Sequence, residues 1–258
     1  MSGALHAEWT KQRTLSATRW LLVSSIALIV GLGAVVALAA SYKTTGSDQD
    51  ITKLSLVGIL LGQAIIAILA VLTVSDEYST GMIRATLSAM PRRPQVLAAK
   101  AAILTALVLA AGTIAVAGSL LAGRLILPAN GFTAAHGYPL LALSHGPTLR
   151  AAVGSVVYLV LIALFSLGVA TAIRESAVAI GTVLGLLYLF PILADVVKDP
   201  NVERHLEQIA PMTAGLAIQS TTNLHKLPIA PWRGLAVLAA WATTALLGGG
   251  VLLQLRDA

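Results

Sequence analysis

Residues 54–75 read "LSLVGILLGQAIIAILAVLTVS", a run in which no side chain carries a charge. A helix needs about 20 apolar residues to cross the hydrocarbon core of a bilayer, so this run is long enough to do so. Charged residues make up only 11% of the 258 positions and hydrophobic residues 57%, whereas ordinary globular chains carry about 25% charged residues. A soluble fold of this length cannot hide so much apolar surface. The composition therefore predicts an integral membrane protein.

Six uncharged segments have spanning length. They are residues 20–42, 54–75, 101–123, 151–173, 176–194 and 234–255. We expect all of them to be helices, because lipid offers no partner for a free backbone N–H group. The first segment ends in Ala37-Leu38-Ala39, like a signal-peptide cleavage site, but it is longer than the roughly 7–15 residues of a signal's apolar region. The predicted fold class is an all-α polytopic membrane protein, built as one transmembrane domain over residues 1–258.

The basic residues of the first half predict the orientation. They lie in residues 1–19 and after the second segment, at Lys11, Arg13, Arg19, Arg84, Arg92, Arg93 and Lys100. Cytoplasmic loops carry an excess of Lys and Arg, so the N-terminus is predicted to be cytoplasmic, and six spans return the C-terminus to the same side. The basic residues in the second half of the chain do not help to predict the orientation. Because basic residues mostly flank apolar runs, membrane lipids are the expected partner rather than nucleic acid.

Residues 76–95, "DEYSTGMIRATLSAMPRRPQ", separate the second and third segments. The pattern over residues 77–90 predicts one short amphipathic helix, with Met82 and Leu87 on its apolar face and Arg84 elsewhere. Pro91 and Pro94 end that helix. The residues alone leave two interpretations open. The helix either rests on lipid at the membrane surface or fits a groove on another protein.

Four stretches together indicate a family. They are "EYSTGMIRATL" at 77–87, "AEWTKQRT" at 7–14, "PRRPQVLAAK" at 91–100 and "APMTAGLAI" at 210–218. The first resembles the motif after the second span in ABC-2-type permeases, the membrane subunits of one class of ATP-binding-cassette exporter. The others are similar to that family's N-terminal segment, its entry into span three and a stretch ahead of its last span. Met82 stands where many relatives have Thr.

The resemblance implies a type V (ABC-2 exporter) fold. It implies an amphipathic elbow helix within the cytoplasmic residues 1–19, and a cytoplasmic coupling helix between spans two and three that docks on a separate ATPase. The coupling residues carried over by the motif are Glu77, Tyr78, Gly81, Met82, Arg84 and Leu87. Glu77 is expected to cap or to form a salt bridge at the helix start. Gly81 is expected to allow close backbone approach, and Arg84 to pair with an acidic group on the partner.

The partners follow from the same resemblance. The chain has no Gly-x-x-x-x-Gly-Lys motif, so it lacks the usual loop for cradling ATP. ATP and Mg²⁺ are therefore expected in a partner P-loop ATPase, present in two copies, and not in this chain. A second permease subunit, most simply in a homodimer, completes the expected assembly. The pairs Gly58/Gly62 and Gly181/Gly185 have a spacing that suits close helix contacts, either at a dimer seam or within one subunit.

Few polar side chains lie within the predicted spans. Gln63 and Tyr158 are the candidates for lining a transport pathway, and an interhelical hydrogen bond is the alternative for Gln63. Residues 198–231 are predicted to lie outside and to form a short surface helix capped by Asn201. With so few charges in the spans, an apolar or amphiphilic cargo suits the chain better than a bare ion.

The resemblance implies a non-catalytic permease subunit that exports a drug, antibiotic, peptide or lipid across a bacterial plasma membrane. It has no recognisable catalytic motif, and the spacing of its histidines selects no metal, so neither a catalytic nor a metal site is predicted. Two alternatives stay open. An ATP-independent secondary transporter predicts inverted repeats and broken helices at the midplane. A membrane-embedded lipid-modifying enzyme predicts catalytic residues near helix ends.

Overall fold

The computed structural model describes residues 2–42, 49–82, 93–138, 141–196 and 199–255, and within them it contains helices and no strand. The α-helices are α1 Ser2–Thr14, α2 Ser16–Ala39, α3 Ile51–Ser55, α4 Ile59–Ser79, α5 Arg93–Ile126, α6 Gly146–Ile173, α7 Ser176–Val196, α8 Pro200–Ile209, α9 Pro211–Leu216 and α10 Pro231–Leu255. Short 3₁₀ turns occupy Leu127–Asn130, Ala134–His136, Ala217–Gln219 and Leu224–Lys226.

Six of these helices, α2, α4, α5, α6, α7 and α10, are long and apolar enough to cross a membrane. The predicted fold class is thereby confirmed, although several bounds move. The run at 54–75 does not form one helix, since Leu54 belongs to α3 and α4 begins at Ile59. Asp50 caps α3 by accepting hydrogen bonds from Thr52 N and Lys53 N. At Gly58, just before α4, the backbone packs so closely on the Ile29 carbonyl that a side chain would not fit.

Helix α6 lies at the centre of the fold and packs against α4, α5, α7 and most extensively α10. Tyr158 and Phe165 on α6 are almost completely shielded from solvent. Glycine permits the close approach of α10. A Cβ added to Gly168 would lie 2.4 Å from the Ala245 carbonyl carbon, and one added to Gly249 would lie 2.5 Å from the Gly168 oxygen. Small residues at such a crossing let two backbones make dense van der Waals contact in lipid.

Residues 198–231 differ from the prediction. The surface helix exists as α8, but Asp199 rather than Asn201 caps it, its side chain accepting from Asn201 N. The next helix, α9, is not at the surface. Its residues Met212 and Gly215 are buried, and it packs on α7 and α10. Because small and apolar residues dominate α9, it can enter the bundle without burying a charge.

One end of the bundle gathers the end of α4, the start of α5, the ends of α6 and α10, and helix α1. We call this end the junction face. Arg93 at the start of α5 donates to Leu253 O at the end of α10 at 2.8 Å, and Arg174 after α6 donates to Leu252 O at 3.4 Å. Cationic side chains here satisfy carbonyls that have no partner inside the helix, which stabilises the end of α10.

Candidate functional site

The junction face holds Glu77, Tyr78 and Gly81, three of the residues that the sequence assigned to coupling. Glu77 was predicted to begin a separate helix. In the structure, α4 instead continues through Glu77 to Ser79. Gly81, two residues beyond the end of α4, has a φ of +72°, in the left-handed region that favours glycine. Gly81 N donates to Tyr78 O at 3.2 Å, as is common just beyond a helix C-terminus. Nothing in the described chain lies within 4 Å of where its Cβ would be, and the close backbone approach expected at this residue stays a prediction.

Glu77 belongs to a group of four charged side chains from three helices, which we call the four-charge cluster: Glu8 and Lys11 of α1, Glu77 of α4 and Lys100 of α5. Lys100 Nζ lies 2.6 Å from Glu77 Oε1 and 2.7 Å from Glu8 Oε1. Lys11 Nζ also donates to Glu77 Oε1, at 2.5 Å. The salt bridge predicted for Glu77 therefore exists, but its partners are residues of this chain.

Burial makes this cluster energetically important. Glu77 and Lys100 are each 2% exposed and Glu8 is 5% exposed. Two carboxylates and two ammonium groups sum to no net charge, which is the condition under which such groups tolerate burial. Within the described residues, the second oxygens of Glu8 and Glu77 have no hydrogen-bond partner. Each carboxylate is thus held through a single oxygen, and Lys100 is the group that joins them.

The cluster explains how α1 is attached to the bundle. Ala4, Glu8 and Gln12 recur every four residues and form the buried face of α1, while Trp9 is 44% exposed. The inward face of this segment is therefore partly polar, with Glu8 aimed at Lys100. Gln12 accepts a hydrogen bond from Thr18 at the start of α2, at 2.8 Å. Helix α1 is tied in this way to α2, α4 and α5.

The other predicted coupling residues lie around this cluster or outside the described part of the chain. The Arg174 guanidinium carbon sits 5.2 Å from the centre of the Tyr78 ring, a cation–π contact. Met82 is 48% exposed. Arg84 and Leu87, and with them most of the predicted coupling helix, fall in residues 83–92, outside the described residues.

The predicted pathway residues form a separate polar group inside the bundle. Tyr158 donates to Gln63 Oε1, and Gln63 Nε2 lies 2.8 Å from Met212 Sδ and 3.3 Å from the Tyr188 hydroxyl. Tyr188 in turn donates to Leu60 O at 2.6 Å. Gln63 and Tyr158 are both 0% exposed. The structure therefore shows the interhelical hydrogen bond that was the alternative for Gln63, and it joins α4 to α6, α7 and α9.

Comparison with known protein families identifies the family to which the chain belongs. The profile of a family described as ABC-2 family transporter proteins matches residues 4–192. The chain belongs to this family. It is thus a multi-pass membrane permease component of an ABC transporter, a family whose members generally work with an ABC ATPase and are not themselves catalytic. A comparison with curated proteins finds no match to this ABC-2 chain.

Sequence reasoning missed part of the ABC-2 protein's junction face. Lys100 was counted among the basic residues that follow the second segment, whereas it lies inside α5 and is buried. Glu8 and Lys11 were not singled out as its neighbours in space. A signal was available, because a lysine next to a long apolar run requires a counter-ion when it is buried. The sequence nevertheless offers several acidic residues, and only the packing of α1 on α5 selects Glu8.

Proposed function

We propose that this chain is the membrane-spanning subunit of an exporter that moves an apolar or amphiphilic compound out across a bacterial plasma membrane. Drugs, antibiotics, peptides and lipids all fit that description. Two copies of a separate ATPase bind ATP and Mg²⁺ and drive the cycle. The segment after α4 docks on the ATPase from the cytoplasm, and both termini of the permease lie on that side.

The four-charge cluster carries this proposal. Residues 80–92 link the end of α4 to the start of α5, and the cluster fastens those two helices to each other and to α1 through Glu77, Lys100 and Glu8. A push on that segment therefore moves three helices together. Flexible ends would absorb the movement, whereas ends joined by buried, hydrogen-bonded charges pass it to the spans. The tight linkage of these three helices supports the proposal that this part of the permease receives mechanical work from the ATPase.

The polar group around Gln63 supports a pathway that opens only during the cycle. Gln63 and Tyr158 are sealed inside the bundle in this conformation. Exposing them to cargo requires α4, α6 and α7 to separate. Hydrogen bonds between helices in a membrane contribute only about 0.6–2 kcal/mol each, so ATP-driven movement can break them.

The second permease subunit is proposed to pack on α7. Gly58 and Gly62 pack on Ile29 of the same chain, but nothing lies within 4 Å of a Cβ built on Gly181 or Gly185. Within the described residues of the protomer, no other helix therefore packs closely on Gly181 and Gly185. In this cysteine-free chain, Gly181→Cys should form a disulfide between two copies, whereas Ile114→Cys on the lipid-facing side of α5 should not. Equal crosslinking at both positions would place the seam elsewhere.

Reconstitution of the permease with its partner ATPase tests the function. The wild-type complex in vesicles should hydrolyse ATP faster when cargo is added. Glu77→Gln removes the carboxylate that two lysines share, so the complex should assemble but lose most of this stimulation. Glu203→Gln, at an exposed position on α8, is the matched control and should behave as wild type. Stimulation of Glu77→Gln at the wild-type level would contradict the proposed coupling route.

Two further outcomes would favour the rival functions. Cargo movement by the permease alone, driven by an ion gradient, would indicate a secondary transporter. A covalently altered lipid product would indicate an enzyme.

Crosslinking a cysteine at position 88 to the ATPase tests docking directly, and failure to crosslink in an assembled, active complex would contradict it.

A further inference from the structure

An apolar groove of about 580 Å³ lies between α5 and α6, away from the Gln63 group. Leu109, Val116 and Leu120 of α5 form one wall, and Val153 and Val157 of α6 form part of the other. Leu141, in the connection between the two helices, also lines the groove. Almost all of the lining is aliphatic. The groove therefore suits a hydrocarbon chain and offers almost nothing to a soluble polar ligand.

The groove runs along α5 over a length that matches one leaflet of a bilayer. From Leu109 to Arg124, fifteen positions along α5, the helix rises about 22 Å at about 1.5 Å per residue. Half of a bilayer's hydrocarbon core is about 15 Å thick. The groove thus extends from near the middle of the bilayer to the headgroup region. Because α5 begins at the junction face, the groove opens on the opposite side of the membrane.

Arg124 lies at the headgroup end of the groove and is exposed. Across the described part of the chain it makes no salt bridge, since every such pair involves Lys11 or Lys100. A cation at this depth attracts anionic headgroups. Its planar guanidinium also matches phosphate oxygens in a two-pronged hydrogen bond. One end of the site is therefore positively charged and the rest is apolar.

We propose that this groove binds an anionic phospholipid, with an acyl chain between α5 and α6 and the headgroup phosphate at Arg124. The aliphatic lining matches a hydrocarbon chain and Arg124 matches a negatively charged phosphate, so the two parts of the site fit the two parts of such a lipid. The lipid belongs to the leaflet facing away from the junction face. This site is independent of the proposed export pathway.

Native mass spectrometry of the purified full-length chain tests the proposal. Phosphatidylglycerol and phosphatidylcholine with identical acyl chains are the probes. The wild type should bind phosphatidylglycerol in preference, and Arg124→Gln should weaken that binding about fivefold, the change expected from losing one interfacial cation worth about 1 kcal/mol. Lys53→Gln, which removes an exposed cation on the same membrane side, should leave the preference unchanged.

The apolar part of the site has its own variants. Ala117→Trp fills the groove from α5, and Val153→Trp fills it from α6. Each should reduce the binding of both lipids by a similar factor, while the Arg124 variant should weaken phosphatidylglycerol, which has a net negative headgroup, more than zwitterionic phosphatidylcholine. Equal losses in Arg124→Gln and Lys53→Gln would indicate general charge attraction and overturn the proposal. Unchanged lipid binding in a well-folded tryptophan variant would overturn it as well.

Discussion

At the scale of single residues, Lys100 is a buried cation whose environment has to supply counter-ions. It is 2% exposed, lies on a helix with spanning length, and contacts Glu8, Glu77 and the Thr73 carbonyl. An unpaired charge at such a site is strongly unfavourable, so each member of the four-charge cluster depends on the others. Comparing single variants with a double variant therefore shows how much each pair contributes.

We expect Lys100→Met to destabilise the protein by about 3 kcal/mol, because it leaves Glu8 buried without its counter-ion. Adding Glu8→Gln should recover much of that loss, since Glu77 keeps its contact with Lys11. Thermal unfolding in detergent measures both changes. Lys53→Met, at an exposed lysine, is the control and should unfold as the wild type does. A double variant no more stable than Lys100→Met would contradict the pairing described here.

At the scale of elements, glycines differ between two neighbouring spans. The packing of α6 on α10 depends on glycine, whereas glycines of α7 have no neighbouring atoms close to them. The backbone of Gly168 lies against Ala245 and Leu246, whereas Gly181 has open space around it. The same residue type thus has different consequences on two neighbouring spans. Sequence spacing alone does not distinguish them, since both are glycines within apolar helices.

Gly168→Ala should therefore lower the stability of the protein by about 1–3 kcal/mol, because the added methyl group overlaps backbone that must shift. Gly181→Ala makes the same chemical change in open space and should cost far less. Thermal unfolding of the two variants in detergent, where subunit contacts are weakened by dilution, makes the comparison. Equal losses would show that helix propensity, and not packing, dominates the effect.

A second element-scale feature ties α3 to the connection ahead of α10. The Asp50 carboxylate accepts hydrogen bonds from Thr52 N and Lys53 N in α3, and also from Thr221 N, Thr221 Oγ1 and Thr222 N. Charged acceptors form stronger hydrogen bonds than neutral ones. This one side chain therefore holds together two segments that are 171 positions apart.

Asp50→Asn removes the charge and one acceptor oxygen, so the amides of Thr221 and Thr222 should lose protection. We expect their hydrogen exchange to accelerate about tenfold, which corresponds to a loss of about 1.4 kcal/mol. Asp199→Asn alters the cap of α8 and leaves Asp50 intact, so it serves as the control. Equal acceleration in the two variants would mean that the connection is not held by Asp50.

At the scale of the whole molecule, charge and aromatic residues mark two membrane surfaces. Trp20 near the start of α2 and Trp232 at the start of α10 are 72% and 59% exposed, and they lie toward opposite ends of the bundle. Exposed tryptophan is typical of the interface between lipid and water. From Trp232 to Leu253, α10 rises about 32 Å, close to the thickness of a hydrocarbon core of about 30 Å.

The proposed orientation gives a labelling prediction. Because the chain has no cysteine, single cysteines can be introduced at exposed Thr14 on α1 and at exposed Ala135 in the 3₁₀ turn after α5. In intact cells a membrane-impermeant maleimide should label position 135 and not position 14. Permeabilised cells, in which both positions should react, provide the control. The reverse pattern would invert the proposed topology.

The sequence by itself determined the class of the molecule, its six spans and its family, because these depend on composition, run length and local motifs. It also identified Glu77 and Gly81 as unusual, though it assigned them to a separate helix. Only the tertiary structure decided that Glu77 pairs with Lys100 and Lys11, that α9 enters the bundle, and which glycines are covered. Hydropathy records how much each residue prefers lipid to water. Which residues meet across helices depends on how the helices pack, and that information is distributed over the whole chain.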